Sequence, residues 1–213
     1  MSIEYTWVVK ARNTPLLKKK CNHCDSERFH CSDKFRLNAQ KKNIDIWLIY
    51  RCVKCHHRYN MTIFSRIRKE SISKEMFNRL SENNVDLAWE YAFSREIRRK
   101  NNAEVDLDSV EYEIQFDEVP LEYMMTSDSE VLSFIIKCPF EFNLRLSTVV
   151  RSCLHLSSSK MNQLIDAEAI FVHGRRLQKK HKVQNGDIVK IYKNIFINIA
   201  YNEDKQLEIN VKE

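Results

Sequence analysis

The chain has 213 residues and a formal net charge of +6, with 43% hydrophobic and 30% charged residues. This length allows one large domain or two or three small ones. No apolar run approaches the length of a membrane span, and the first residues lack the basic-then-apolar pattern of a signal peptide. We therefore expect a cytoplasmic protein with no membrane partner, in which thiols stay reduced.

The charge is distributed unevenly along the chain. Residues 1–103 hold 22 Lys/Arg and 11 Asp/Glu, residues 104–139 hold one Lys and ten Asp/Glu, and residues 140–196 hold ten Lys/Arg and four Asp/Glu. Two basic regions therefore flank an acidic one. This asymmetry favours a nucleic-acid partner.

The first basic region contains two C-x-x-C motifs, Cys21 to Cys24 and Cys52 to Cys55. Four thiolates satisfy a tetrahedral zinc ion without leaving an open position, which is the arrangement of structural sites. Iron accepts the same ligand set, so zinc is the expected metal and iron the alternative. Alternating apolar residues in 44–50 and 58–63 predict strands next to the second motif. We therefore predict an antiparallel zinc ribbon in residues 1–70.

Other cysteines and histidines leave the ligand set open. Cys31 or a nearby histidine could replace one of the four cysteines, because four histidines crowd the same region, at positions 23, 30, 56 and 57. We expect the histidines to be surface groups around the metal. Cys138 and Cys153 are interpreted as buried apolar residues. Disulfides are the alternative to a metal, although seven cysteines cannot all pair.

A short helical pair is predicted for residues 71–103. Ile72, Met76 and Leu80 mark the first helix, and the apolar stripe from Val85 to Ile97 marks the second. The acidic segment, residues 104–139, is predicted to form two strands, around 110–116 and 131–138. Its acidity is interpreted as a solvated strand face, with RNA mimicry or a basic partner as the alternative.

Residues 140–213 are predicted to form a further domain. Leu146, Val149, Val150, Cys153 and Leu154 give one helical stripe. The run of serines at 157–159 offers N-caps for a second helix, and 170–176 and 186–192 indicate strands. Alternation at 195, 197 and 199 and at 207, 209 and 211 predicts a final β-hairpin.

The order of these C-terminal motifs resembles the S-four RNA-binding domain of a small-subunit ribosomal protein, tyrosyl-tRNA synthetases and pseudouridine synthases. The matching pairs are Arg145-Leu146, Ser159-Lys160, Leu164-Ile165, the strand that ends at Gly174, and Gly186-Asp187. Glu168 departs from the pattern, because the family usually has Gly where the second helix ends. Helix N-termini and cations suit phosphates, and the candidate RNA-binding residues are Arg145, Arg151, Ser159, Lys160, Arg175, Arg176, Lys179, Lys180 and Lys182.

Over nearly its full length the chain resembles a bacterial family catalogued as Domain of Unknown Function 1062. The residues that carry this resemblance are Trp7-Val8-Val9, 21–24, 31–42, 47–52, 91–93 and the C-terminal domain. The resemblance implies no activity. The fold class expected overall is therefore α+β, with a zinc ribbon, a helical pair, an acidic β segment and an S-four-like domain.

Three functions are compatible with these patterns. The first is a non-enzymatic RNA-binding protein that acts on rRNA, tRNA or the ribosome. The second is an RNA-modification enzyme or its accessory subunit, although no Gly-rich phosphate loop is present and no acid–base set stands out, so no catalytic residue is assigned. The third is a protein-interaction or DNA-binding role for the ribbon. The structured RNA, the pathway, any protein partner and the oligomeric state are not identified by the sequence.

Overall fold

The computed structural model describes residues 4–116 and 129–202. Its contacts divide the chain into two compact units. The N-terminal unit is Ala11–Glu111, and the C-terminal unit combines Met1–Lys10 with Tyr112–Glu213. The predicted α+β class is confirmed, because both units combine helices with sheets that are largely antiparallel.

The described part of the chain contains strands and helices in the following order. The strands are β1 Glu4–Ala11, β2 Leu16–Lys18, β3 Arg28–Gln40, β4 Asn43–Cys52, β5 Arg58–Arg68, β6 Glu104–Asp106, β7 Tyr112–Phe116, β8 Val131–Lys137, β9 Ile170–Val172, β10 Arg175–Arg176 and β11 Ile188–Tyr192. The α-helices are α1 Lys74–Ser81, α2 Val85–Phe93, α3 Arg95–Lys100, α4 Leu146–Cys153, α5 Ser158–Asp166 and α6 Lys193–Ile197. Short 3₁₀ turns cover Lys69–Ser71 and Leu107–Ser109.

The N-terminal unit is built on a five-stranded sheet with the order β5-β4-β3-β2-β6. Its long strands pair antiparallel, and β4 alternates strictly between buried and partly exposed residues after its first position. This period of two places Ile46, Leu48 and Tyr50 on one face, where they are fully buried. The same face packs against apolar residues of the helices, including Leu87, in one continuous core.

The helices of this unit begin at side-chain caps. Ser73 accepts a hydrogen bond from the N–H of Met76, and Asn84 accepts one from Leu87, so each closes the first turn of its helix. The prediction of a single helix through Val85 and Ile97 is wrong. Ser94 has extended backbone angles and ends α2 while its hydroxyl caps α3. The apolar stripe continues across this break because both helices pack on the same core.

The C-terminal unit is built on a six-stranded sheet with the order β10-β9-β11-β8-β1-β7. Strand β1 pairs with β8 in parallel, whereas β11 pairs antiparallel with both β8 and β9. Trp7 of β1 stacks on Phe134 of β8 with ring centroids 4.1 Å apart, and both are buried. The N-terminal strand therefore belongs to the core of the C-terminal unit.

This grouping differs from the predicted division into 1–70, 71–103, 104–139 and 140–213. The helical pair shares a core with the cysteine-containing sheet, and strands β7 and β8 of the predicted acidic segment lie in the C-terminal sheet. Strand β1 pairs with β8 in a register that places Glu4 opposite Ser133, far along the chain. Local sequence patterns do not reveal such a long-range pairing. None of the helices in the described ranges is long and apolar enough to cross a membrane.

Helices α4 and α5 of the C-terminal unit form where the sequence predicted two helices. Leu146, Val149, Val150 and Cys153 are the buried residues of α4. Helix α5 begins at Ser157, whose side chain accepts a hydrogen bond from the N–H of Lys160. It runs to Asp166, and Glu168, two residues beyond this end, has a φ of +55°. The N–H groups of Glu168 and Ala169 donate to the carbonyls of Ile165 and Leu164, which is the Schellman arrangement.

The prediction of a C-terminal β-hairpin is wrong for its first strand. Residues around Ile195, Ile197 and Ile199 form helix α6 and a π-helical turn, Asn198–Asn202. The buried residues there are Phe196 and Ala200, four positions apart, so a helical face is buried and not the alternating isoleucines. The second predicted strand, at 207, 209 and 211, lies outside the described residues.

Candidate metal centre and nucleic-acid interface

The four cysteines of the two C-x-x-C motifs converge within the N-terminal unit. Their Sγ atoms all lie within 4.8 Å of one another. The Sγ atoms of Cys21 and Cys55 are 3.5 Å apart, and those of Cys24 and Cys52 are 3.6 Å apart. Four sulfurs placed about 2.3 Å from a central zinc would be separated by about 3.8 Å. The geometry therefore fits a tetrahedral metal bound by four thiolates.

Backbone hydrogen bonds hold both cysteine motifs in tight turns. The N–H of Cys21 donates to the carbonyl of Ser26 at 2.8 Å, and the N–H of His23 points at the Cys21 Sγ at 3.4 Å. At the other motif the N–H of Cys52 donates to the carbonyl of His57 at 2.9 Å. This last bond closes the turn between β4 and β5. The end of β4 and this turn therefore position the second pair of cysteines, Cys52 and Cys55.

The thiols of this group have opposed acidities. Burial raises the pKa of Cys52, but hydrogen bonds from the N–H groups of Cys55 and Lys54 and neighbouring side chains lower it overall, to about 5. For Cys55, the backbone bond at His57 lowers the pKa, yet burial and sharing of protons with the other three sulfurs raise it to about 12. A cation between the four sulfurs would favour ionisation of all of them.

Cys31 is not a member of the group of four. It lies on β3 in the buried core, and burial raises its pKa to about 12. The histidines lie around the cysteines: His23 stacks on His57 with ring centroids 3.8 Å apart. A cavity of about 500 Å³ is lined by His23, Cys55, His56, His57 and Arg58.

The C-terminal unit contains a cleft between helices α4 and α5. Its volume is about 260 Å³, and its lining includes three of the predicted RNA-binding residues, Arg145, Arg151 and Lys179, with Ser147, Thr148, Ser158, Met161, Asn162 and Ile165. The Arg151 guanidinium donates to the Ser158 hydroxyl at 2.6 Å, which fixes it across the gap between the helices. The ammonium of Lys179 lies 3.3 Å from the Asp166 carboxylate.

The other predicted RNA-binding residues are placed in different ways. Lys160 is half-buried, and its ammonium donates to the carbonyl of Ala200 at 2.8 Å, so it holds the C-terminal helical turn. Arg176 pairs with the Glu168 carboxylate. The remaining four side chains are exposed: Ser159, Arg175, Lys180 and Lys182. The backbone of Lys182 forms a β-bridge with Arg145, which brings this loop to the start of α4.

A buried carboxylate, that of Asp187, belongs to the Gly186-Asp187 pair but was not among the predicted site residues. Asp187 is fully buried, and its Oδ2 accepts a hydrogen bond from the N–H of Gln184 at 2.9 Å. His181 Nε2 is 3.5 Å from the same oxygen, and His173 Nε2 is 3.2 Å from Oδ1. His173 and Gly174 both have positive φ and form the two-residue turn between β9 and β10, as a type I′ turn requires. The sequence features that could have indicated this arrangement are the dipeptides Gly186-Asp187 and His173-Gly174.

Comparisons place the chain by sequence alone. No curated protein and no solved structure matches it. A family model described as "Protein of unknown function (DUF1062)" matches residues 37–176, which is more than half of the chain and extends from β3 to β10. The protein therefore belongs to the DUF1062 family.

Proposed function

We propose that the protein is a non-enzymatic RNA-binding protein that holds structured RNA, such as rRNA or tRNA, through phosphate contacts on its C-terminal unit. The observation that carries this proposal is the cleft between α4 and α5, where Arg145, Arg151 and Lys179 converge. Guanidinium groups bind phosphate oxygens in pairs of parallel hydrogen bonds. A cleft lined by cations and small hydroxyl side chains suits a phosphate backbone better than an apolar ligand.

Charge around the cleft supports the same partner. Arg175, Lys180 and Lys182 are exposed on the adjoining hairpin and loop, and no described carboxylate forms an ion pair with them. The carboxylates of Asp166 and Glu168 each lie beside a cation, Lys179 and Arg176 respectively. A polyanion would therefore meet a net positive surface, and counterions released from its phosphates would favour binding.

The order of elements also supports the proposal. Two short helices, α4 and α5, are followed by a hairpin of β9 and β10 and then by β11, which is the order expected of an S-four-like domain. The left-handed residue after α5 occupies the position where that pattern has glycine, here Glu168. We assign residues 140–192 to this domain type as part of the proposal.

We further propose that the four cysteines hold a structural zinc and make the N-terminal unit a zinc ribbon. The fit of the four sulfurs to a tetrahedron supports the metal. A site closed by four thiolates leaves no position for a substrate, so the metal would supply stability and not catalysis. Iron would fit the same ligands, and elemental analysis distinguishes the two.

The test is a salt titration of RNA binding by the full chain. The triple variant Arg145→Gln, Arg151→Gln, Lys179→Gln removes the cleft cations but leaves Lys160, whose ammonium donates to the carbonyl of Ala200. Its matched control, Lys41→Gln, Lys42→Gln, Arg68→Gln, removes the same charge from exposed positions of the N-terminal unit. The RNA is a folded ribosomal RNA fragment.

We expect the cleft variant to weaken binding and to flatten the plot of log Kd against log salt. Each lost phosphate contact lowers that slope by roughly 0.7 to 0.9, so three contacts give a change of about 2 to 3. The control should change the slope far less. Equal affinity and slope for the wild type and the folded cleft variant would overturn the proposal.

A further inference from the structure

Strands β3, β4 and β5 have a second face that the helices do not cover. Successive residues of a strand point to opposite sides of a sheet. Ile46, Leu48 and Tyr50 face the helical core, so Trp47, Ile49 and Arg51 lie on the outer side. Unlike their buried neighbours, these three side chains are partly exposed.

The strand register arranges this outer face in three rows. Each row takes one residue from β3, one from β4 and one from β5. We call these nine residues the outer face, and in row order they are His30, Arg51 and Arg58; Lys34, Ile49 and Asn60; Arg36, Trp47 and Thr62. The nine include four Lys/Arg and no Asp/Glu, whereas Asp45, the next residue of β4 on this face, accepts a hydrogen bond from the N–H of Arg66 at 2.8 Å.

The second feature of the outer face is the charge pairing of its four cations. Within the described residues, no carboxylate forms an ion pair with Lys34, Arg36, Arg51 or Arg58. Arg51 and Arg58 are direct cross-strand partners, an arrangement in which like charges repel and destabilise the sheet. An anion bound over this row would relieve that repulsion.

Trp47 supplies an aromatic surface between these cations. The Arg36 guanidinium lies 5.6 Å from the centroid of its ring, within range of a cation–π contact. Residues two apart on a strand are separated by about 6.7 Å, so cations of adjacent rows can meet successive phosphates of an extended chain. Bases stack on aromatic side chains without regard to sequence, because every base has a π face.

We infer that this outer face binds single-stranded nucleic acid, with a base stacked on Trp47 and phosphates held by Lys34, Arg36, Arg51 and Arg58. A duplex cannot offer an unstacked base, whereas an acidic peptide offers charge without an aromatic base. The combination of the ring and the four cations therefore fits an unpaired strand. This site is separate from the proposed cleft between α4 and α5 and does not depend on it.

The test measures binding of the full chain to labelled 12-nucleotide oligouridine by fluorescence anisotropy. The variant Trp47→Leu removes the ring but keeps apolar bulk, and Trp47→Phe keeps a ring. The variant Arg36→Gln, Arg58→Gln removes two cations, with Lys41→Gln, Lys42→Gln as its control of equal charge. Oligothymidine, duplex RNA and polyglutamate serve as competitors, and circular dichroism checks the fold.

We expect Trp47→Leu to weaken oligouridine binding roughly tenfold, in line with the loss of one stacked base, and Trp47→Phe to restore most of it. The Arg36→Gln, Arg58→Gln variant should lower the salt slope by about 1.4, at roughly 0.7 for each phosphate contact on a single strand. Its control should leave the slope unchanged. Oligothymidine should compete, and duplex RNA should compete poorly.

Three results would overturn the inference: no binding of oligouridine by the wild type, unchanged binding by the folded Trp47→Leu and Arg36→Gln, Arg58→Gln variants, or competition by polyglutamate as strong as by oligothymidine. The last result would identify a surface for acidic proteins. The cleft variant Arg145→Gln, Arg151→Gln, Lys179→Gln should still bind oligouridine through the outer face. This comparison separates failure of the outer face from failure of the cleft.

Discussion

The carboxylate of Glu168 pairs with the guanidinium of Arg176, although Glu168 holds a left-handed backbone conformation with φ of +55°. A side chain with a Cβ is disfavoured there by about 1 kcal/mol relative to glycine. Both residues are exposed, and exposed ion pairs contribute roughly 0–1 kcal/mol. The backbone cost and the ion pair therefore oppose each other at the end of α5.

Glu168→Gly should stabilise the C-terminal unit by up to about 1 kcal/mol, because it removes the left-handed strain and loses only a weak surface pair. The substitution should also tighten RNA binding at the proposed cleft between α4 and α5, since it frees the Arg176 guanidinium and removes a negative charge. Urea unfolding and anisotropy with a folded RNA fragment measure the two effects.

The matched control is Glu168→Gln, which removes the charge but keeps the strain. We expect it to tighten RNA binding without the gain in stability. If Glu168→Gly unfolds at a lower urea concentration than Glu168→Gln, backbone strain at this position does not limit the stability of the C-terminal unit.

Asp187→Ala should destabilise the C-terminal unit by about 1–3 kcal/mol. The substitution removes the buried carboxylate that accepts a hydrogen bond from the N–H of Gln184, and hydrogen bonds to carboxylates contribute about 1.5–3 kcal/mol. His173 also loses its partner, which loosens the turn between β9 and β10. Asp166→Ala, at an exposed carboxylate, is the control and should stay within about 0.5 kcal/mol of the wild type. Similar urea midpoints for the two variants would count against a structural role for Asp187.

The sequence predicted those elements whose pattern is local. The period of 3.6 in α4 and the caps near α5 are properties of short segments, and the structure contains both helices. The two C-x-x-C motifs likewise predicted a cluster of Cys21, Cys24, Cys52 and Cys55, which is present. Local spacing was sufficient because β4 carries Cys52 directly to the turn.

Features that depend on distant pairing were not predicted. Strand β1 joins the C-terminal sheet through its register with β8, which places Glu4 opposite Ser133. The outer face cannot be recognised from the sequence of any one strand, because Arg36, Trp47 and Thr62 become neighbours only when the strands pair. The alternation around Ile195 pointed to a strand, but burial of Phe196 and Ala200 selected a helix.

Three thiols outside the cysteine cluster should resist alkylation in the folded protein. Burial raises the pKa of Cys31 to about 12, of Cys138 to about 11 and of Cys153 to about 12. The thiolate is the reactive form, so iodoacetamide at pH 8 should label these residues only after unfolding. Peptide mass spectrometry with and without urea measures this, and rapid labelling of any of the three in the native protein would contradict the prediction.

The same three thiols should make stability fall at high pH. Unfolded thiols ionise near the ordinary pKa of 9.0, whereas the folded ones stay protonated to about 11 or 12. The stabilisation of the folded state by these protonated thiols is therefore complete below pH 9, and it is lost as the pH rises through their pKa values in the folded protein. The urea midpoint should fall between pH 8 and pH 10.5, and it should fall less in Cys31→Ala, Cys138→Ala, Cys153→Ala. An equal fall in both proteins would assign the effect to other groups.

Removal of one cysteine of the cluster should abolish binding of the proposed metal and destabilise the N-terminal unit. In Cys52→Ser the remaining three thiolates cannot close a tetrahedral site, and because metal binding and folding are coupled, the turn between β4 and β5 should lose its order. Elemental analysis of protein purified without added metal should find about one zinc per wild-type chain and far less in Cys52→Ser. Cys153→Ser, in the other unit, is the control and should keep its metal. A wild-type protein with neither zinc nor iron near that level would exclude a resident metal and leave the four sulfurs as a thiol cluster.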